Sequence, residues 1–163
     1  MRILDSTASN RSMWYQKNNP FTIFMDQRRE RVYFSNELIN VTPDIQARWQ
    51  NLPFKNESFD LVLFDPPHIF RNEGAKPGGM SKKYGIFYRN NWREIVSIGA
   101  MELFRVLKTN GTFILKWSEV DMNIDEILKL IPYPPMFGTH SGKNTHWVCF
   151  IKYNPNSQLS DFS

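Results

Sequence analysis

The sequence has one cysteine, no hydrophobic run long enough for a membrane helix and no long block of lysine or arginine. Cys149 cannot form an internal disulfide, and its place in an apolar run favours a small core residue over a reactive thiol. A membrane helix needs about 18 consecutive apolar residues, and no such run occurs. Asp5 interrupts the first apolar stretch, which argues against a signal peptide. We therefore expect a cytoplasmic protein without membrane association.

Metal-binding spacings are missing as well. The three histidines, His68, His140 and His146, offer none of the short spacings that zinc sites use, so no metal is expected. The positive charge is modest and dispersed, with a net charge of +4 over 163 residues. This balance permits an acidic partner such as nucleic acid without requiring one. Arg28, Arg29 and Arg31 are compatible with either a solvated face or part of a nucleic-acid track.

The length and the hydrophobic fraction of 41% predict one domain over residues 1–153, followed by a polar tail at 154–163. Apolar runs alternate with segments of helical periodicity, which predicts an α/β domain with a mostly parallel sheet. The predicted strands are 3–4, 21–25, 59–64, 112–117, 134–139 and 147–153, and the predicted helices lie near 13–15, over 92–107 and over 124–130. Residues 69–90 read as a long, basic and mobile loop.

Polar residues follow the first two strands in an order typical of nucleotide-binding folds. The first strand leads into Asp5, Ser6, Thr7, Ala8, Ser9 and Asn10, whose small side chains let the backbone approach a ligand. The second strand ends at Asp26, which follows Asp5 by 21 residues. A carboxylate about 20 residues after the first strand's turn holds a ribose hydroxyl in such folds. Taken singly each acid is a cap or turn residue; together they predict a nucleoside-cofactor site.

The third signal is Asp65-Pro66-Pro67-His68, at the end of the apolar strand 59–64. Two prolines fix the backbone and remove its N–H donors, so a carboxylate and carbonyls are held on a rigid ledge. Such a ledge can hold an exocyclic amine, with the His68 ring flat against a planar ligand. The alternative is an ordinary strand-ending turn, since Asp-Pro commonly starts turns.

These features resemble compact Rossmann-like methyltransferases that use S-adenosyl-L-methionine, in the amino-methylating group with an Asp/Asn-Pro-Pro-aromatic motif. Small phage and prophage enzymes with Asp-Pro-Pro-His are the most similar. The matching stretches are 3–5 with the following loop, 24–26, 52–54, 59–68, 104–112 and 145–147. The resemblance implies a seven-stranded, mostly parallel sheet with a C-terminal antiparallel hairpin and helices on both faces. It also implies N-methylation of nucleic acid, with N6 of adenine in DNA as first choice.

The resemblance gives each candidate residue a role. Asp65 and Pro66 would accept hydrogen bonds from the target amine, Pro67 would stiffen the ledge, and His68 would stack on the base. The cofactor would lie against Asp5, Ser6, Thr7, Ala8, Ser9, Asn10 and Asp26. Where the family has glycines, this chain has Ser9 and Arg11. Arg11 would either reach over the methionyl carboxylate or weaken cofactor binding.

Two further regions are ambiguous. Trp49 is either an adenine-stacking residue or a core residue, and Gln50 could hydrogen-bond the adenine. Candidate substrate contacts are Lys82, Lys83, Lys116 and Lys143, with a solvated strand end as the alternative for Lys116. The chain has no evident recognition domain, so a second copy or a partner could supply specificity. Methylation of RNA or of a free base, or cofactor binding with little catalysis, are the other functions considered.

Overall fold

The computed structural model describes residues 1–34, 36–76, 78, 81, 84–139 and 144–154, apart from the side chains of Phe34 and Glu37. The described strands are β1 Ile3–Asp5, β2 Thr22–Asp26, β3 Glu30–Phe34, β4 Glu37–Val41, β5 Ile45–Gln46, β6 Phe59–Phe64, β7 Phe70–Arg71, β8 Phe87–Tyr88, β9 Leu107–Ser118, β10 Phe137–Gly138 and β11 Thr145–Ile151. The described helices are α1 Trp92–Val106 and α2 Ile124–Leu128.

Seven of the strands form one sheet in the order β10-β11-β9-β6-β1-β2-β5. The pairs β1–β2, β1–β6, β2–β5 and β6–β9 are parallel, while β11 runs antiparallel to both β9 and β10. The predicted α/β class with a mostly parallel sheet is confirmed. Residues 140–143, between β10 and β11, lie outside the described residues. The predicted helices on both faces of the sheet stay a prediction.

The core lies between the sheet and α1. Alternate residues of the central strands face the helix and are fully buried, among them Val62, Phe64, Phe113 and Leu115. The opposite face carries half-buried residues at the intervening positions, as the period of two in a strand requires. In α1 the buried residues recur every three or four positions, which puts one stripe of the helix on the sheet.

Gly99 sits where α1 meets the Trp49 indole. A Cβ atom at this position would lie 2.0 Å from Trp49 Cε3, so no larger residue fits without displacing the ring. The indole therefore packs directly on the helix backbone. This contact fixes Trp49 in the core, at 4% exposure, between α1 and Phe64.

Several predicted boundaries hold and others do not. Strand 59–64 matches β6, and the cap at Asn123 is present, because its Oδ1 accepts the Asp125 N–H at 2.8 Å. Residues 13–15 form turns, so the helix predicted there is wrong. The β3–β4 pair was not predicted. Within the predicted loop 69–90, β7 pairs with β8, and Phe70 and Phe87 are buried in the core.

Candidate functional site

A cleft opens at the carboxyl ends of β1, β2 and β6, where ligands of parallel α/β sheets bind. It brings together most of the residues singled out from the sequence. Its lining includes Ser6, Thr7, Ala8, Ser9, Asp26, Trp49, Asp65, Pro66, Pro67 and His68, together with Ser12, Met13, Gln27, Arg28, Tyr84 and Gly85. Among the described candidates, Asp5, Asn10, Gln50 and Lys116 do not line it. Lys82, Lys83 and Lys143 lie outside the described residues.

The loop after β1 is tied to the neighbouring strands by one side-chain and one backbone hydrogen bond. The Ser6 hydroxyl donates to Leu63 O at 2.8 Å, and Ala8 N donates to Met25 O at 2.8 Å. Ser9 and Arg11 have φ values of 47° and 57°, in the left-handed region that glycine would enter more easily. The loop therefore makes a bend of the kind that glycine usually allows, with residues other than glycine.

Arg11 is turned away from the cleft. Its guanidinium donates to Lys17 O at 2.7 Å and to Asp44 Oδ1 at 3.1 Å, and it lies 3.9 Å from the centre of the Phe24 ring. The side chain is thus an anchor for the loop. In this arrangement it does not reach over a cofactor carboxylate.

Asp5 lies behind the loop and is fully buried. Its Oδ2 accepts the Trp14 Nε1–H at 2.7 Å, and its Oδ1 accepts the Thr7 N–H at 3.2 Å. Burial raises the pKa of this carboxyl from 3.8 to about 7, against the opposing effect of these two hydrogen bonds. The negative charges of Asp65 and Asp26 raise it slightly further. Asp5 therefore stabilises the loop through its hydrogen bonds with Trp14 and Thr7.

Asp26 is 5% exposed and already has several donors. Its Oδ2 accepts Ser9 N–H at 2.9 Å, and its Oδ1 accepts both Arg28 N–H at 2.9 Å and Arg28 Nε–H at 3.2 Å. A carboxylate offers about four acceptor positions, so most of its capacity is used. A ribose hydroxyl could bind this carboxylate only if the Arg28 guanidinium moved aside.

The region predicted to read adenine is divided between core and cleft. Trp49 is a core residue whose edge reaches the cleft, and its stacking on adenine stays a prediction. Gln50 Oε1 is buried and accepts no hydrogen bond from the described residues. An unsatisfied buried acceptor is uncommon, and a ligand amine is one group that could satisfy it.

The Asp65–His68 ledge follows β6 directly and is fixed from two sides. Asp65 N–H donates to Thr7 Oγ1 at 2.7 Å, which joins the ledge to the β1 loop. Pro67 packs against Gly85, where an added Cβ would lie 3.1 Å from Pro67 Cγ and where φ is +79°. A residue other than glycine at this position would press on the ledge and strain its own backbone.

His68 lies half-buried beside Tyr84, with ring centroids 5.2 Å apart and planes tilted by 47°. Burial lowers the pKa of the imidazole from its ordinary 6.5, with a smaller lowering from Lys116, while Asp65 and Asp121 act in the opposite direction. The ring is therefore neutral over the physiological range, which suits a stacking surface. Tyr84 was not predicted to belong to the site. Its position just before Gly85 was the sequence feature that could have indicated it.

Lys116 joins the ledge at its acidic end. Its Nζ donates to Asp65 Oδ2 at 2.6 Å, between the ends of the adjacent strands β6 and β9. Two roles were predicted for this residue, a solvated strand end and a substrate-phosphate contact. Neither anticipated the ion pair, because nothing in a linear sequence connects two residues 51 positions apart.

The described residues contain no group of histidine, cysteine or acidic side chains placed to hold a metal ion. Within the same part of the chain, no helix combines the length and apolarity needed to cross a bilayer. Cys149 is buried in β11, and burial raises the pKa of its thiol. It lies among core residues rather than in the cleft, as its apolar surroundings in the sequence predicted.

No protein-family model and no curated protein matches the sequence. Solved structures do match in fold. The PH0226 protein from Pyrococcus horikoshii OT3 superposes with a TM-score of 0.59 and 12% identity, covering 93% of this chain and 81% of that one. A SAM-dependent methyltransferase from Aquifex aeolicus gives a TM-score of 0.52 and 13% identity, with 91% and 80% coverage.

A third similar structure is the 1,6-didemethyltoxoflavin-N1-methyltransferase of Burkholderia thailandensis, solved with 1,6-didemethyltoxoflavin and S-adenosylhomocysteine. It has a TM-score of 0.52 and 11% identity, covering 93% of this chain and 71% of that one. At such low identity the likeness concerns the fold alone. The chain therefore has the fold found in SAM-dependent methyltransferases.

Proposed function

We propose that this protein is an S-adenosylmethionine-dependent N-methyltransferase that acts on the exocyclic amine of a nucleobase, with N6 of adenine in DNA as first choice. One observation carries the proposal. The Asp65–His68 ledge opens into the same cleft as the Ser6–Ser9 loop and Asp26. An amine-holding group and a nucleoside-type site thus face each other within one fold that methyltransferases share.

The residues fit the cofactor in type and place. Asp26 ends β2, where a carboxylate can take a ribose hydroxyl, and the small residues Ser6 to Ser9 line the cleft beside it. When bound, S-adenosylmethionine supplies an electrophilic methyl group on a sulfonium centre.

The cleft is narrow in this conformation. It encloses about 50 Å³, whereas pockets for small-molecule ligands measure roughly 300 Å³ or more. Arg28 lies on the rim and holds Asp26. We infer that Arg28 leaves Asp26 as the ribose takes its place, which widens the cleft at the same point.

The ledge residues would act by position. The Asp65 carboxylate and the Pro66 carbonyl accept the two N–H bonds of the amine, which turns the nitrogen lone pair away from the ring. The nitrogen would form its new bond to the methyl carbon as the carbon–sulfur bond breaks and S-adenosylhomocysteine leaves, and the proton that the nitrogen then releases would go to the Asp65 carboxylate. The neutral His68 ring would stack on a base taken out of the helix, as enzymes acting on a single base require.

The substrate class rests on the ledge and on the positive charge of the chain. A nucleic acid is compatible with the net charge of +4, and a base amine would fit the ledge. RNA or a free base could present the same amine. A second copy of the chain or a partner would supply sequence specificity.

The test measures transfer of tritiated methyl groups to genomic DNA from a methylation-deficient host, followed by mass spectrometry of the nucleosides. We expect N6-methyladenine, and Asp65→Ala should lower kcat more than about 100-fold, as for other oriented transition-state contacts. Asp60→Ala is the matched control, because Asp60 is an acid in the same strand that lies at the other end. Equal loss in both variants, or no methylated base, would refute the proposal.

A further inference from the structure

We propose that Lys116 is a positioning residue for methyl transfer, whose ammonium fixes the Asp65 carboxylate so that one oxygen is presented to the target amine. This inference rests on the proposed function. The sequence had offered Lys116 as a phosphate contact or as a solvated strand end, and the geometry assigns it a different task at the same site.

The contact between Lys116 and Asp65 is short and partly shielded from solvent. Lys116 Nζ and Asp65 Oδ2 are 2.6 Å apart, a short distance even for a charge-assisted hydrogen bond. Neither side chain is fully in solvent, since Lys116 is 27% exposed and Asp65 24%. The pair belongs to neighbouring parallel strands whose last registered partners are Phe64 and Leu115, so the backbone places the two residues side by side.

Thr7 and Lys116 fix different parts of Asp65. Thr7 Oγ1 accepts the Asp65 N–H and so holds the backbone of the ledge. This bond leaves the carboxylate free to rotate. Lys116 removes that freedom by holding Oδ2, and the other oxygen, Oδ1, is then the one available to the amine. The loop after β1 thus fixes the backbone of Asp65, and β9 fixes its side chain.

Charged groups lie around the ledge. The charges of Asp65 and Asp26 both raise the pKa of the nearby Asp5 carboxyl, and burial lowers the pKa of the His68 imidazole. Lys116 is the cation in direct contact with Asp65 among the described residues, and the pair is neutral as a unit. A neutral acceptor is also what asparagine provides in the Asp/Asn-Pro-Pro-aromatic pattern.

Trp147 completes the surroundings of the ammonium. It lies opposite Lys116 in the β9–β11 register, and its ring centre is 5.8 Å from Nζ. A cation over an indole face is attracted to it. Lys116 is therefore held between an indole and a carboxylate, which leaves little freedom for a phosphate contact.

The experiment is a double-mutant cycle with DNA methyl transfer as the readout. Lys116→Met should lower kcat by about tenfold or more, since a misplacement near 1 Å can cost up to about 100-fold. In an Asp65→Asn background, the same substitution should change kcat less than about twofold, because the amide needs no ammonium. An equal loss in both backgrounds would show that Lys116 acts independently of Asp65, which overturns the inference.

Lys108→Met is the matched control. Lys108 and Asp60 form a 2.7 Å pair between the same two strands at their opposite ends. This variant should keep kcat while removing a comparable bridge. If Lys116→Met lowers thermal stability and S-adenosylmethionine affinity in parallel with kcat, and more than Lys108→Met does, its role is structural and the inference fails.

Two further measurements separate the positioning role from the alternatives. Lys116→Arg should keep kcat within about threefold of the wild type, because a guanidinium can donate to the same oxygen. A larger loss in Lys116→Arg overturns the inference, and this variant decides the question if Asp65→Asn is inactive. A raised KM for DNA with unchanged kcat would indicate a phosphate contact instead. If the wild-type protein neither binds the cofactor nor methylates DNA, the proposed function has failed, which is separable from every outcome above.

Discussion

Replacing Asp5 by asparagine should stabilise the protein, and by an amount that depends on pH. Asp5 is fully buried behind the β1 loop, and its pKa is raised from 3.8 to about 7, chiefly by burial. The folded protein therefore binds this proton more tightly than the unfolded chain does. The stability associated with the group is fully present below pH 3.8 and is lost as the pH rises through about 7.

The size of the effect follows from the two pKa values. Each unit of difference corresponds to about 1.4 kcal/mol. A rise from 3.8 to about 7 thus lowers the free energy of unfolding by about 4 kcal/mol above pH 7. An asparagine can still accept the Trp14 N–H through its oxygen, but it loses the weaker bond from Thr7, worth about 1 kcal/mol. The expected net gain is about 3 kcal/mol at pH 8 and about 1 kcal/mol at pH 5.

The assay is urea unfolding of both proteins at several values from pH 5 to pH 8, followed by a signal such as tryptophan fluorescence. The difference in free energy of unfolding should grow with pH and level off above about pH 7. Glu94→Gln, a change to an exposed acid in the first turn of α1, serves as the control for a general charge effect. A difference that is the same at pH 5 and pH 8 would refute the reasoning about burial at Asp5.

The remaining predictions concern binding of S-adenosylmethionine and of DNA. Asp26→Ala should weaken S-adenosylmethionine binding by roughly 1–3 kcal/mol, while Arg28→Met should not weaken it, because Arg28 competes with the cofactor for the Asp26 carboxylate. Calorimetry measures both affinities, and a larger loss with Arg28→Met would contradict the competition. His68→Ala should weaken DNA binding by about 1–3 kcal/mol, with recovery in His68→Phe or His68→Tyr. Activity that follows a group titrating near the ordinary histidine pKa of 6.5, without aromatic rescue, would contradict stacking.

The central strand and its ledge could be predicted because their signals are local. The run Phe59–Phe64 is apolar on both faces, which marks a strand in the middle of a parallel sheet, and two prolines end it at once. Asp26 was found by its spacing from Asp5. These signals need only the order of residues along the chain, and the fold then places them at one edge of the sheet.

Other features depend on contacts between distant residues and could not be read in this way. The pairing of Lys116 with Asp65 needs the register of β6 and β9, which no local pattern gives. Asp5 looked like a cofactor residue by position, yet burial and the Trp14 hydrogen bond place it behind the loop. The β3–β4 pair was missed because its charged residues, such as Arg31, suggested a solvated segment more strongly than the alternation suggested a hairpin.

The glycine-poor loop is the point where the sequence seemed least suited to a cofactor, and its anchoring explains how it keeps the required bend. Left-handed backbone at a residue other than glycine costs of order 1–3 kcal/mol, and two such residues, Ser9 and Arg11, occur here. Arg11 offsets this cost with its hydrogen bonds to Lys17 and Asp44 and its contact with the Phe24 ring. A glycine loop has its bend at little steric cost but is free to move, whereas this loop is held in its bend by a side chain. The arginine whose left-handed backbone adds to this cost is therefore also the residue whose side chain offsets it.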